Sequence, residues 1–259
     1  MMASISRPVH YPTGDGKPMA ETDLHRGVLV DLIECLTDHF VDDPNVYVSG
    51  DLLMFYEAGN GRRHLAPDVF VVIGVPNHRR DNYLIWDEGK GPDFVVEVTS
   101  KTTRKEDEGK QRGLYRDVLR VPEYFQFDPT ADYLRPPFQG HRLVDGEYLP
   151  IEPVDGRLPS LMIGLHLEAR GTTLRLFNPA TGRRLPTRLE QIAEARTVAA
   201  QASEVARHQY EAASDAAEAA RRASEEAKAE IGAELDRLRR EVEALRRSSG
   251  NGNGNGAAK

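Results

Sequence analysis

The stretch after Pro186 constrains the fold of this chain more than any other part of the sequence. No further proline follows it, and Ala, Glu, Arg and Gln dominate, which is the composition of a helix. Mostly small or apolar residues recur there at steps of three and four, with one extra four-residue step: Ile192, Ala195, Ala199, Ala202, Ala206, Gln209, Ala213, Ala216, Ala220, Ala223, Ala227, Ile231, Leu235, Leu238, Val242 and Leu245. The spacing is a heptad seam with one stutter, so we predict a long coiled-coil helix over residues 187–247.

Such a helix is too long to fold back on a small domain. At about 1.5 Å per residue, sixty residues extend roughly 90 Å. The apolar stripe from Ile231 to Leu245 would then stand in water, and pairing with a second copy would cover it. We predict a homodimer through residues 190–247; the alternative is a single helix held in water by its own ion pairs. Residues 248–259, with their repeated Asn-Gly, are predicted to be a disordered tail.

The remaining chain has the pattern of one α/β domain over residues 21–186, preceded by an extended Pro/Gly/Ser-rich arm over residues 1–20. Apolar periodicity and turn residues predict its elements. In order they are a helix over 21–40, strands over 46–56, 67–73 and 94–98, a helix over 103–119, a strand over 123–129 and hairpins over 130–177. This order indicates a mixed sheet flanked by helices.

An acidic residue interrupts the most apolar of these strands. The run from Phe94 to Val98 is typical of a strand buried on both faces, yet it contains Glu97. A buried carboxylate is costly without a partner. Asp68 begins an earlier strand, and two acids at one level of neighbouring strands can share a divalent cation such as Mg²⁺. The alternative is a Glu97 satisfied by an arginine or by backbone amides.

Charge and composition limit the other possibilities. The chain has 34 Lys and Arg against 41 Asp and Glu; residues 1–187 hold 22 against 28 of these. A broad basic footprint for nucleic acid is therefore missing, and binding would need a local patch or a bound cation. The single cysteine, Cys35, cannot form an intramolecular disulfide. No run of about 18 apolar residues could cross a membrane, so we expect a cytoplasmic protein without a membrane partner.

An ordered series of motifs carries a family resemblance over about residues 20–175. The motifs are His25, Pro67-Asp68-Val69, the run from Pro92 to Ser100, Lys110, Tyr115 and the run from Val121 to Pro129. In this series the chain resembles the Uma-two family of endonucleases, which belongs to the PD-(D/E)xK superfamily. The resemblance implies a restriction-endonuclease-like fold, dependence on Mg²⁺ with Mn²⁺ as a possible substitute, and a nucleic-acid substrate.

The same resemblance implies roles for individual residues. Asp68 and Glu97 would be catalytic metal ligands. Thr99 stands where a Glu-x-Lys motif has its lysine. Family members commonly carry the catalytic lysine on the following helix, which corresponds to Lys110. The possible accessory residues are Glu21, His25, Lys101 and Tyr115.

Two functions follow as hypotheses. The first is a Mg²⁺-dependent endonuclease that hydrolyses phosphodiester bonds of DNA, with Lys110 stabilising charge in the transition state. The second is a catalytically weak binding module that keeps the nuclease fold and is tethered to a partner by its coiled coil. The retained Asp68, Glu97 and Lys110 favour the enzyme, whereas the acidic charge and Thr99 favour the binding module.

Overall fold

The structure is a computed structural model that describes residues 11–14, 22–99, 107–132 and 134–250. The chain forms two compact units, Met1–Ile192 and Ala193–Lys259. The first unit contains the α/β elements, and the second contains the C-terminal helix from Ala193 onward. Glu21, Lys101 and the predicted tail from residue 251 onward lie outside the described residues. No helix in the described part of the chain is long and apolar enough to span a membrane.

The first helix, α1 (Asp23–His39), forms because its apolar residues recur on one face and its N-terminus is capped. The Oγ1 atom of Thr22 accepts a hydrogen bond from the backbone N–H of His25 at 3.2 Å, which satisfies one of the free amides of the first turn. Val28, Leu32 and Leu36 are buried on the inner face. The helix predicted over residues 21–40 is confirmed, with each end one or two residues shorter.

The strands of the described residues belong to three sheets. In chain order they are β1 (Val46–Ser49), β2 (Met54–Phe55), β3 (His64–Leu65), β4 (Val69–Ile73), β5 (Tyr83–Leu84), β6 (Phe94–Val98), β7 (Glu123–Phe127), β8 (Phe138–Val144), β9 (Glu147–Pro150), β10 (Leu158–Pro159), β11 (His166–Arg170), β12 (Thr173–Asn178) and β13 (Arg183–Arg184). The six-stranded sheet has the order β1-β4-β6-β7-β8-β9. Its central pair, β6 and β7, is parallel, and its other pairs are antiparallel.

Both faces of the six-stranded sheet are buried. Because side chains alternate along a strand, Val96 and Phe125 pack in a core with α1 and with β11 and β12. Val95 and Tyr124 project to the opposite side, into a second core that contains Tyr115. The expectation that the strand at residues 94–98 is buried on both faces is confirmed.

One strand prediction was wrong in its extent. Residues 46–56 form two strands in different sheets, since β1 joins the large sheet and β2 pairs with β3 and β5 in a small one. Between them Asp51 has a φ of 51°, a left-handed conformation that ends a strand. The apolar content on both sides of this turn concealed the break. A short helix, α2 (Ile85–Glu88), follows β5.

The helical segment after β6 is wound more widely than an α-helix. It contains two π-helical stretches, π1 (Asp107–Gln111) and π2 (Leu114–Val118). The N–H of Leu119 donates to the carbonyl of Leu114, five residues earlier, at 3.0 Å. The helix predicted over residues 103–119 is confirmed as helical within the described residues, but its hydrogen bonding differs. Such π-helical turns occur often at functional sites.

The C-terminal helix, α3 (Arg188–Gly250), begins at a reciprocal cap. The N–H of Glu190 donates to Thr187 Oγ1 at 3.3 Å, and the N–H of Thr187 donates to Glu190 Oε2 at 2.8 Å. Arg175 donates to both carboxylate oxygens of Glu190. These bonds, led by that of Arg175, lower the pKa of Glu190 to about 2. The predicted long helix is confirmed; its pairing with another helix stays a prediction.

The described part of the N-terminal arm contacts the domain. The ring of Tyr11 packs edge-on against Phe55, with centroids 5.1 Å apart, and lies 5.2 Å from the ring of Trp86. Its hydroxyl accepts a hydrogen bond from the N–H of Gly59 at 2.7 Å. The arm, predicted to be extended, is therefore packed against the domain at Tyr11.

Candidate active site

Asp68 lies immediately before β4, and two hydrogen bonds fix its carboxylate. Oδ2 accepts from the backbone N–H of Val98 at 2.6 Å and from Nε2 of His25 at 3.1 Å. The side chain keeps 13% of its accessible surface, and that of His25 keeps 7%. Residues of β6 and α1 thus hold the same oxygen of Asp68, and this fixes the orientation of the carboxylate.

A glycine makes the position of Asp68 possible. A Cβ atom on Gly50 would stand 2.1 Å from the carbonyl oxygen of Asp68 and 2.7 Å from Cδ1 of Ile33. Both distances are far below van der Waals contact, and the nearer atom belongs to the backbone. Only glycine allows the turn after β1 to pass this close. The N–H of Asp51 then donates to the carbonyl of Pro67 at 2.9 Å, which ties the same turn to the Pro-Asp segment.

Glu97 is the second acidic residue of the site and is 96% buried in β6, with 4% of its surface exposed. Its Oε1 accepts a short hydrogen bond from the hydroxyl of Tyr115 and another from Nε2 of Gln111 at 3.1 Å. Burial, followed by the charge of Glu97, raises the pKa of Tyr115 well above its usual value. Tyr115 therefore stays protonated and keeps donating. Tyr115 and Gln111 are neutral donors, so these two hydrogen bonds do not cancel the charge of Glu97.

The strand register brings the two acids to the same end of the sheet. Val69 pairs with Val96 in the antiparallel β4–β6 ladder, and one further step sets Asp68 opposite Glu97. The bond from Val98 N–H to Asp68 reinforces this adjacency, since Val98 directly follows Glu97. The sequence predicted that these acids lie at one level of neighbouring strands. Their sharing of a metal ion stays a prediction.

A third polar side chain stands beside Glu97. In the parallel β6–β7 pair Glu97 is in register with Gln126, which in turn pairs with Gln139 of β8. Side chains in register point to the same face, so Asp68, Glu97, Gln126 and Gln139 form a polar row across four strands. Gln126 was not among the predicted site residues, although it interrupts the apolar strand β7 just as Glu97 interrupts β6.

The lysine expected at the site directly precedes Gln111 in the sequence. Lys110 is exposed and forms no hydrogen bond or ion pair with another described residue, whereas Gln111 beside it contacts Glu97. The catalytic role of Lys110 therefore stays a prediction. Among the accessory residues, His25 and Tyr115 each contact one of the two acids. Gln111 was not predicted, because an uncharged amide within a charged segment gives no sequence signal for a site residue.

The oxygen donors of the site suit a hard divalent cation. Mg²⁺ is bound in proteins by one or two carboxylates together with water and substrate phosphate, and Asp68 and Glu97 supply two carboxylates. Within residues 11–14, 22–99, 107–132 and 134–250, no group of three or more His, Cys, Asp or Glu side chains could hold a metal ion. The two acids would thus rely on water or substrate for further ligands.

Comparison with known proteins gives the family of the chain. A search of curated proteins found no match. Among solved structures, the chain is similar to a "putative nuclease belonging to DUF820" from Anabaena variabilis, with 16% identity and a TM-score of 0.40 over 59% of this chain and 80% of that one. The profile of the family Uma2, described as "Putative restriction endonuclease", matches residues 6–174. This match spans well over half of the sequence and includes Asp68, Glu97 and Tyr115, and on it the chain belongs to the Uma2 family.

Proposed function

We propose that the chain is an endonuclease that hydrolyses phosphodiester bonds of DNA, with Mg²⁺ or Mn²⁺ bound by Asp68 and Glu97. One observation carries the proposal: the two acids lie opposite each other at the same end of β4 and β6, and each is fixed by its own hydrogen bonds. Membership of a family described as restriction endonucleases supports the same reaction class.

The side chains around the two acids have distinct tasks in this proposal. His25 and the N–H of Val98 hold one oxygen of Asp68 and leave its direction fixed. Tyr115 and Gln111 do the same for Oε1 of Glu97 without removing its charge. When bound, Mg²⁺ supplies positive charge opposite phosphate oxygens and makes water a better nucleophile. Preorganised ligands of this kind need no rearrangement as the reaction proceeds.

Phosphate binding needs positive charge, which the net charge of the domain does not supply. Residues 1–187 carry a net excess of acidic side chains, which opposes binding of a polyanion. A cation at Asp68 and Glu97 would reverse that sign locally, and the exposed Lys110 would meet a phosphate at the edge of the site. The single cysteine, Cys35, is buried in α1, which suits the cytoplasmic location that we propose.

Removal of divalent metal is expected to abolish cleavage. We expect the full chain to cut supercoiled plasmid DNA in Mg²⁺ or Mn²⁺ and to stop in excess EDTA, because the two carboxylates alone offer no positive charge to the phosphate. Gel assays with plasmid, linear duplex, single-stranded DNA and RNA measure the activity and its substrate. The Asp68→Asn variant, purified identically, is the control for a contaminating nuclease.

A different outcome would favour the binding module as the function. If no substrate is cut at any Mg²⁺ or Mn²⁺ concentration, but DNA is retained in a mobility-shift assay, then the fold binds without cleaving. The acidic domain and Thr99 in the position of a Glu-x-Lys lysine are the observations that keep this second function open. Cleavage that persists equally in Asp68→Asn would contradict the proposed active site.

We further propose that the second unit assembles the chain as a homodimer through residues 190–247. Ile231, Leu235, Leu238, Val242 and Leu245 repeat at heptad spacing, and each is about half exposed or more. Covering ten such half-exposed side chains in a dimer is worth on the order of 10 kcal/mol. This gain is of the same size as the cost of association, about 4–15 kcal/mol, so the dimer should depend on concentration.

Charges beside this apolar seam favour a parallel, in-register pair. With Leu235 and Val242 at position a and Leu238 at position d, Glu234 and Glu241 occupy position g. Arg239 and Arg246 occupy position e, five residues further along the chain. In a parallel dimer each g residue meets the e residue five positions later on the partner helix. Both meetings would therefore join glutamate with arginine.

Disruption of the seam is expected to separate the dimer. The Leu238→Glu substitution introduces a charge at position d, so we expect monomers at micromolar concentration, where the wild-type chain is dimeric. Ala233→Glu adds the same side chain at position f, away from the seam, and should leave the dimer intact. Light scattering measures both masses. The Leu235→Cys variant tests the orientation, since it should form an interchain disulfide only if the two helices are parallel. A monomeric wild-type chain would contradict the dimer itself.

A further inference from the structure

Gln126 is an unusual residue for the interior of a sheet. It lies in β7 between Phe125 and Phe127 and is 3% exposed. Its Nε2 is buried and has no hydrogen-bond partner in the part of the chain that the structure describes. A buried amide donor without a partner destabilises the fold, and an apolar side chain of the same shape would avoid that cost. Stability of the free protein therefore does not account for a glutamine at this position.

The position of Gln126 suggests a functional reason. Its register partner in the parallel strand is Glu97, and neighbouring strands lie about 4.8 Å apart. Both side chains project to the same face, one residue before the end of their strands. Asp68 stands on the other side of Glu97. The unpaired amide is thus the next polar group beyond the two acids that we propose as metal ligands.

The next residue of the polar row shows how a structural glutamine behaves. Gln139 pairs with Gln126 across β7 and β8 and is half-buried. Its Nε2 donates to the carbonyl of Pro136 at 3.0 Å. Among the described residues, this amide has a partner, whereas the more deeply buried one beside Glu97 has none. Gln139 thus has a hydrogen bond that stabilises the fold, whereas the Gln126 amide is available to a ligand.

We propose that Gln126 is a positioning residue of the metal site. Its amide donates to the Glu97 carboxylate, directly or through one buried water, when that carboxylate binds the divalent cation. A neutral donor in this place orients the carboxylate and leaves its charge for the metal, whereas a lysine would neutralise it. Donors of this kind commonly change metal affinity by about 10–100-fold. The inference rests on the proposed function, since it needs Glu97 to be a ligand.

The test compares Gln126→Leu with Gln139→Leu by two measurements on the full chain. Titration calorimetry with Mn²⁺ alone should show affinity about 10–100-fold weaker for Gln126→Leu and unchanged for Gln139→Leu. Thermal unfolding without metal should show an unchanged or higher Tm for Gln126→Leu, by up to about 6 °C, because an unpaired amide is removed. Gln139→Leu should lower the Tm, since it loses a hydrogen bond.

The outcomes separate this inference from the function on which it rests. Mn²⁺ affinity that Gln126→Leu leaves intact would overturn the inference while the metal site stands. A lowered Tm for Gln126→Leu together with unchanged Mn²⁺ affinity would identify Gln126 as structural. If the wild-type chain binds no Mn²⁺ at all, the proposed function itself is contradicted, and the inference fails with it.

Discussion

Replacement of Glu97 with glutamine is expected to lower the rate of metal-dependent DNA cleavage about a thousandfold, which corresponds to roughly 4 kcal/mol of transition-state stabilisation. The substitution keeps the shape of the side chain and an oxygen that can accept from Tyr115 and Gln111. It removes the negative charge that we propose binds the cation, and the positive charge opposite the phosphate is lost with it. Single-turnover cleavage of a plasmid at saturating Mg²⁺ measures the change.

The folded state of this variant should be preserved, because the side chain keeps its shape and an oxygen that accepts from Tyr115 and Gln111. A cooperative thermal unfolding transition in the absence of metal checks this. Glu147→Gln is a matched control, since Glu147 is 70% exposed and forms its ion pair with Arg116 at the surface. It should leave cleavage unchanged. A Glu97→Gln variant that cuts at the wild-type rate would remove Glu97 from the mechanism.

The central strands were predictable because their sequences leave little choice. The runs at Val69–Ile73 and Phe94–Val98 are almost wholly apolar, and only burial on both faces accommodates them. The acidic residues at their ends are then conspicuous, since a buried carboxylate is costly. The same reasoning would have identified Gln126 within β7. Among the uncharged members of the site, Tyr115 was predicted, but Gln111 and Gln126 were not.

The surroundings of the site could not be predicted from local patterns. The break at Gly50 and Asp51 depends on a close approach to Asp68, a residue that is distant along the chain until the sheet forms. The wide winding of π1 and π2 leaves no signature in apolar spacing. The sequence and the resemblance therefore could not predict that Gln111, and not Lys110, contacts Glu97.

Glu123 was predicted only as the start of a strand, yet it joins several parts of the domain. Its carboxylate is fully buried and accepts from Arg142 at 2.8 Å and 3.0 Å, from the hydroxyl of Ser160, and from the N–H groups of Leu161 and Met162 at 3.0 and 3.3 Å. These donors come from β8 and from the segment after β10. A contact made by residues so far apart in sequence has no local signal.

Removal of this carboxylate is expected to have the largest effect on stability of the substitutions considered. Glu123→Ala leaves the Arg142 charge without its partner and leaves buried donors unsatisfied. Breaking a buried ion pair in this way costs about 3–5 kcal/mol. For a domain of this size that corresponds to a fall in Tm of roughly 6–20 °C. The fluorescence of Trp86, the single tryptophan of the chain, reports unfolding of the first unit without a contribution from α3.

An exposed ion pair in the same domain supplies the control for Glu123→Ala. Glu147 of β9 pairs with Arg116 at 3.0 Å, but its side chain is 70% exposed, so Glu147→Ala should cost at most about 1 kcal/mol. Both variants remove a glutamate that contacts an arginine, and they differ chiefly in burial. Equal and small losses of stability for the two variants would contradict the role of Glu123 as a buried junction. They would mean that water can replace the Glu123 carboxylate as the acceptor for Arg142 and the other donors. A large loss for Glu123→Ala alone would support Glu123 as the buried junction between β7, β8 and the segment after β10.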